Sequence, residues 1–152
     1  MVTRGASRGH GTAVPKASRG CDPLQVAVGA LSVRDLDASL RFYRDVLGLP
    51  VLAEPYDGEV FEGREAMVLA GRSALCLQCH AANTGQPFDP RQAGLDHLAL
   101  AVSTVEELHE FAAHLDERGV AHSGVKPLPG FGDFIELRDP DGILVELHAM
   151  PK

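Results

Sequence analysis

The chain repeats itself once, and this repeat constrains its fold more than any other feature. Ala30, Leu31, Val33, Leu36 and Phe42 recur 69 residues later as Ala99, Leu100, Val102, Val105 and Phe111. Met67, Leu75 and Leu77 recur 70 residues later as Leu137, Val145 and Leu147. A pattern met twice at a fixed spacing means two similar supersecondary modules. It also predicts which positions in the two halves are equivalent.

Each copy reads as β-α-β-β-β. In the first, residues 25–33 are a short apolar run with small side chains, as in a buried strand. A helix follows, with Asp37 placed to cap it and Leu36, Leu40, Tyr43 and Leu47 at helical spacing. Gly48 is placed to end that helix in a left-handed turn, and Pro50 forbids its continuation. Residues 51–53 and 60–61 are predicted as short strands, and 66–69 and 74–79 as a hairpin turning at Gly71-Arg72-Ser73. Residues 81–94 are a turn-rich linker.

The second copy keeps the order. Residues 96–102 are a strand, and Thr104-Val-Glu-Glu107 is a capping box. Leu108, Phe111, Ala112 and Leu115 form the buried helical stripe, which Gly119 closes. Residues 123–128 extend. Residues 134–137 and 143–149 form the last hairpin, turning at Asp139-Pro-Asp-Gly142, where proline presets φ and glycine accepts a positive one. The expected organisation is a basic tail over residues 1–23 and one domain over 24–150, with modules at 24–80 and 95–150.

Charge and composition narrow the function classes. Residues 1–20 hold Arg4, Arg8, Lys16 and Arg19 and no acid, so the net charge of −7 becomes −11 for residues 21–152. An acidic body repels nucleic-acid phosphates. The tail is rich in Gly, Ser and Ala and is expected to be disordered. No apolar run approaches the ~20 residues of a membrane span. Three cysteines, Cys21, Cys76 and Cys79, are too few for a disulfide framework, which points to a reducing cytoplasm.

Strand alternation locates the chemistry. Leu98, Leu100 and Val102 share the helix side of their strand, which leaves His97, Ala99 and Ala101 on the other. In the last strand Glu146 and His148 share a face opposite Val145 and Leu147. Gln78 is the repeat equivalent of His148, and Cys76, Gln78 and His80 continue one face. Cys76 and Cys79 form a C-x-x-C, but residues three apart in a strand point to opposite faces and cannot chelate one ion. Cys79 is expected in the helix-side core, and His109 and His114 on the solvated side of the second helix. Tyr56, Phe61, Phe88, Phe131 and Phe134 are candidates for a cavity mouth.

These modules, with the segments Leu31-Ser-Val-Arg-Asp-Leu-Asp-Ala-Ser-Leu-Arg-Phe-Tyr-Arg-Asp-Val-Leu-Gly-Leu49, Asp96-His-Leu-Ala-Leu100 and Asp139-Pro-Asp-Gly-Ile-Leu-Val-Glu-Leu147, resemble the vicinal oxygen chelate superfamily. That superfamily includes glyoxalases, extradiol dioxygenases, fosfomycin-resistance enzymes and bleomycin-binding proteins. The resemblance spans about residues 25–149. It implies an α+β fold of two βαβββ modules, an open curved sheet around a cavity, and a homodimer, module-exchanged forms included. Metal-dependent members draw ligands from the first and last strands of the two modules, which implies a divalent metal ion on His97 and Glu146. The repeat puts Val28 and Cys76 at the matching first-module positions. Valine has no donor atom, and a thiolate is soft where hard-cation sites use oxygen or nitrogen. A third ligand would come from Cys76, Gln78, His80 or His148, or from a partner chain. Two functions follow from the resemblance: a metal-dependent lyase or dioxygenase-like enzyme acting on a small oxygenated substrate, and a metal-free protein that binds or sequesters a small molecule.

Overall fold

The structure is a computed structural model, in which residues 25–58 and 62–151 are described. The first module comprises β1 (Val28–Ser32), α1 (Leu36–Arg41), β2 (Val51–Asp57), β3 (Gly63–Ala70) and β4 (Ser73–His80). The second comprises β5 (His97–Val102), α2 (Val105–Glu117), β6 (Lys126–Leu128), β7 (Gly132–Arg138) and β8 (Leu144–Ala149). The modules form separate four-stranded sheets, ordered β1-β4-β3-β2 and β5-β8-β7-β6. In each, the first strand lies parallel to the last and the other pairs are antiparallel. The α+β architecture expected from the repeat is the one observed. The tail and the expected strand at residues 60–61, with Phe61, lie outside the described residues. Among the described residues no helix is long and apolar enough to cross a membrane.

Alternation gives each sheet one buried and one open face. Leu31, Ala66, Val68, Leu75 and Leu77 pack beneath Leu36, Leu40 and Tyr43 of the first helical segment. Ile135, Leu137, Val145 and Leu147 pack with Leu108 and Leu115 of α2, and both sets join one buried cluster. Each fully buried side chain of this size contributes ~1.5–3 kcal/mol. On the other faces Ala30, Ser32, Ala99 and Ala101 are exposed, and Val28 is 57% exposed.

Several local details differ from expectation. The first helix is capped by Asp35, whose side chain accepts from the Ala38 amide, and Asp37 lies in its first turn. The helix continues as a π-helical turn over Phe42–Val46, closed by Leu47 N–H donating to the Phe42 carbonyl at 3.1 Å. This wider turn lets two consecutive aromatics, Phe42 and Tyr43, both be buried, edge to face at 5.3 Å. Gly48 then adopts φ 71°, as expected of a left-handed terminus. In the second module Thr104 caps α2 by accepting from Glu107 N–H, but the Glu107 carboxylate reaches back to Ser103 N–H rather than to Thr104's own amide. His114, expected in solvent, is half-buried with Nε2 3.0 Å from the Val46 carbonyl of the first module.

The spacing of the third strands also needs correction. The buried residues of β3, Ala66 and Val68, match Ile135 and Leu137 of β7 at an offset of 69, so Met67 corresponds to Glu136 and not to Leu137. The offset becomes 70 in β8 because residues 140–142 connect the second hairpin where residues 71–72 connect the first.

That longer turn joins the modules. Asp139 Oδ1 accepts from the amides of Asp141 and Ile143, and Oδ2 accepts from Tyr43 Oη at 3.0 Å. Asp141 Oδ1 accepts from Arg34 N and Nε at 2.9 and 2.8 Å, and Oδ2 accepts from Ser39 Oγ at 3.2 Å. Both aspartates are buried. Burial pushes the Asp139 carboxyl above the usual aspartate range despite its hydrogen bonds, and burial beside Asp139 raises the Tyr43 hydroxyl far above its ordinary value. Asp141→Ala removes the acceptor for Arg34 and Ser39 together. It should destabilise the fold by about 2–3 kcal/mol, read as a lowered midpoint in urea unfolding with an unchanged slope.

Candidate functional site on the open sheet faces

The parallel pairing of β5 and β8 sets Ala99 beside Glu146 and Ala101 beside His148. The alanines leave room, and the polar side chains converge. His148 Nε2 lies 2.8 Å from Glu146 Oε2, and His97 Nε2 lies 3.7 Å from the same oxygen. His97 Nδ1 lies 2.8 Å from Asp96 Oδ1. With Nδ1–H donating to Asp96, the imidazole is held with Nε2 toward Glu146. The His148 ring stacks on Phe134 at 5.3 Å and 18°. Glu146 and His148 are mostly buried, while the His97 side chain is 43% exposed.

The Asp96 hydrogen bond raises the His97 pKa above the ordinary histidine range; burial opposes this and Glu146 adds to it. Folding therefore favours the protonated ring. The resulting stability is fully present below the ordinary histidine pKa and is lost as pH rises through the folded value. It is small, because the ring is exposed and screened. A proton NMR titration should place His97 above free histidine, and Asp96→Asn should move it down.

The first-module face is different. Val28 occupies the β1 position that matches His97. Cys76, buried on β4, matches Glu146. Burial, with Glu65 nearby adding to the effect, pushes the Cys76 thiol up. Cys79 packs against the helix-side core, as expected. Gln78 Nε2 donates to Glu65 Oε2 at 3.1 Å, and the Tyr56 hydroxyl donates to Glu65 Oε1. Glu65 supplies a carboxylate from β3. The burial of Ala66 and Val68, legible as apolar alternation, would have put Glu65 on the open face.

His80 lies at the end of β4. It lines a cavity of about 440 Å³ with Ser32, Arg34, Asn83, Phe88 and Asp141, bounded by the linker and the Asp139–Gly142 turn. The six candidate residues His97, Glu146, His148, Cys76, Gln78 and His80 are thus divided. His97, Glu146 and His148 form one group, Cys76 and Gln78 sit with Glu65, and His80 lines the linker cavity. Of the expected aromatics, Phe134 stacks on His148, Tyr56 binds Glu65, Phe88 lines the cavity, and Phe131 is exposed.

Whether these donors suit a metal ion turns on their arrangement. In the second module Glu146 is hydrogen-bonded to His148, and His97, itself hydrogen-bonded to Asp96, stands 3.7 Å from the same Glu146 oxygen. Among the described residues no set of three or more His, Cys, Asp or Glu side chains is placed to hold an ion. The described residues of one chain do not by themselves supply the ligand set for the divalent metal that the resemblance implied.

The profile of the Glyoxalase/Bleomycin resistance protein/Dioxygenase superfamily matches residues 25–147. The chain belongs to this superfamily. It is similar to YaeR, an uncharacterized protein of Escherichia coli (strain K12), at 28% identity over 120 residues, which is 78% of this chain and 91% of that protein. A solved glyoxylase/bleomycin resistance protein/dioxygenase domain from Frankia sp. EAN1pec is 28% identical with a TM-score of 0.73, covering 86% of this chain and 100% of that one. TnmS3, an antibiotic binding protein from Streptomyces sp. CB03234, is 25% identical with a TM-score of 0.64, covering 86% and 99% of the two chains. The family and the fold expected from the sequence are both found. The superfamily spans several chemistries, so function has to be argued from the site.

Proposed function

We propose that the protein binds a small organic molecule on the open faces of its two sheets and does so without a coordinated metal ion. The observation that carries this reading is the first-module pair Val28 and Cys76, an exposed side chain with no donor atom and a buried soft thiol where a four-donor site needs ligands. The likeness to an antibiotic binding protein supports the same reading. The exposed Val28, Ala30, Ala99 and Ala101 are the surface a homodimer would cover, setting the first-module face of one copy against the second-module face of the other. Such pairing would turn two open faces into a cavity closed to water.

A second reading has its own support. The Asp96 carboxylate orients His97 Nε2 toward Glu146, the usual way a metal-binding imidazole is held. In that reading His97 and Glu146 would hold a divalent ion, with a further donor from His148 or from the Cys76, Gln78 or His80 of a second copy. The ion would act as a Lewis acid on a small oxygenated substrate in a lyase or dioxygenase-like enzyme. Elemental analysis of protein purified without chelator separates the two. The expected result is no stoichiometric metal in the wild type or in Glu146→Ala. Stoichiometric metal in the wild type that is lost in Glu146→Ala would replace the first reading with the second.

A further inference from the structure

The open face of the first sheet is organised in rows that cross its strands. Ser32, Gln78, Glu65 and Tyr56 are successive register partners across β1, β4, β3 and β2, and form one polar row. The adjacent row, Ala30, Cys76, Met67 and Ala53, is apolar throughout. Beyond it Val28, Ala74 and Leu69 continue the apolar surface. In the second sheet the row matching the apolar one holds Ala99, Glu146 and Glu136, and the next holds Ala101, His148, Phe134 and Lys126. The first module has therefore moved its carboxylate by one row and left an apolar platform beside it.

Glu65 is the charged member of the polar row. Each of its oxygens accepts from one neutral donor, Tyr56 Oη or Gln78 Nε2, and among the described residues it has no ion pair with Arg, Lys or His. A carboxylate has about four acceptor sites, so acceptor capacity remains. A half-buried anion without a cation is satisfied best by a positively charged donor. A chain of net charge −7 also raises the local concentration of cations. We propose that this face recognises an organic ammonium compound, its compact apolar body on the Val28–Ala30–Met67 platform above the buried Cys76 and its charged nitrogen on Glu65. The proposal rests on the small-molecule-binding reading above and names the ligand class for the first-module half of that site.

The test is a heteronuclear NMR titration of the full chain with benzylamine, benzyl alcohol, benzoate and manganese(II). Benzylamine should shift amides around Ser32, Glu65 and Gln78 and bind about ten-fold more tightly than benzyl alcohol, with benzoate weaker still. Glu65→Gln should bring benzylamine to the level of the alcohol and leave the alcohol unchanged. Equal binding of amine and alcohol by the wild type, an amine affinity unaffected by Glu65→Gln, or manganese displacing the amine from Glu65 would each overturn the proposal. If Glu65→Gln does not fold, the amine–alcohol comparison in the wild type and in Tyr56→Phe, which keeps the carboxylate, still decides. Alcohol bound to the open face with no preference for the amine would end this proposal and leave the binding reading standing. No aromatic probe on either open face would end both.

Discussion

Asp139 and Asp141 hold the two modules to one another. Two adjacent carboxylates are taken out of water at the tip of a hairpin, which is costly unless every oxygen finds a donor. Here each does, and the donors outside the turn come from the first helical segment and its approach: Arg34, Ser39 and Tyr43. The shared core depends on this contact, because the contact sets how the two helix-covered layers meet. The outward direction of the open sheet faces follows from it. The π-helical turn belongs to the same device, since it places the Tyr43 hydroxyl against Asp139 while Phe42 stays in the core.

Much of this was legible in the sequence. Apolar alternation and helical spacing indicated the strands, the helices and, outside β3, the buried side of each. Leu36, Leu40, Tyr43, Leu47, Leu108 and Leu115 are all buried as the periodicity implied. Propensity misplaced the first helix cap because Asp35 and Asp37 both suit the position, and only backbone geometry selects between them. The π-helical turn left no sign in the periodicity, since one extra residue per turn is invisible when both Phe42 and Tyr43 are apolar enough to be buried. The one-residue error in β3 had a larger consequence. A slip of one residue exchanges the faces of a strand, and it hid Glu65.

The candidate site was legible residue by residue but not as an arrangement. His97, Glu146 and His148 come together as the alternation of β5 and β8 implied. Cys76 and Gln78 lie on the other sheet, and no count of offsets could tell whether the two sheets of one chain face each other. That depends on the hairpin tip docking on α1, a contact between residues about a hundred positions apart. Nor does sequence reveal that the Cys76 thiol is pushed up, which follows from its burial and from the nearby Glu65 charge.

The longer connection of the second hairpin has a consequence for how this chain can diverge. The first hairpin closes in two residues, 71–72, whereas the second closes in three, 140–142, and grips the opposite half. The halves are related like a plug and a socket. With their mutual fit settled at that one rim, the outward surfaces are released from the symmetry that created them. One could keep its imidazole–carboxylate cluster while the other became a platform with a polar border.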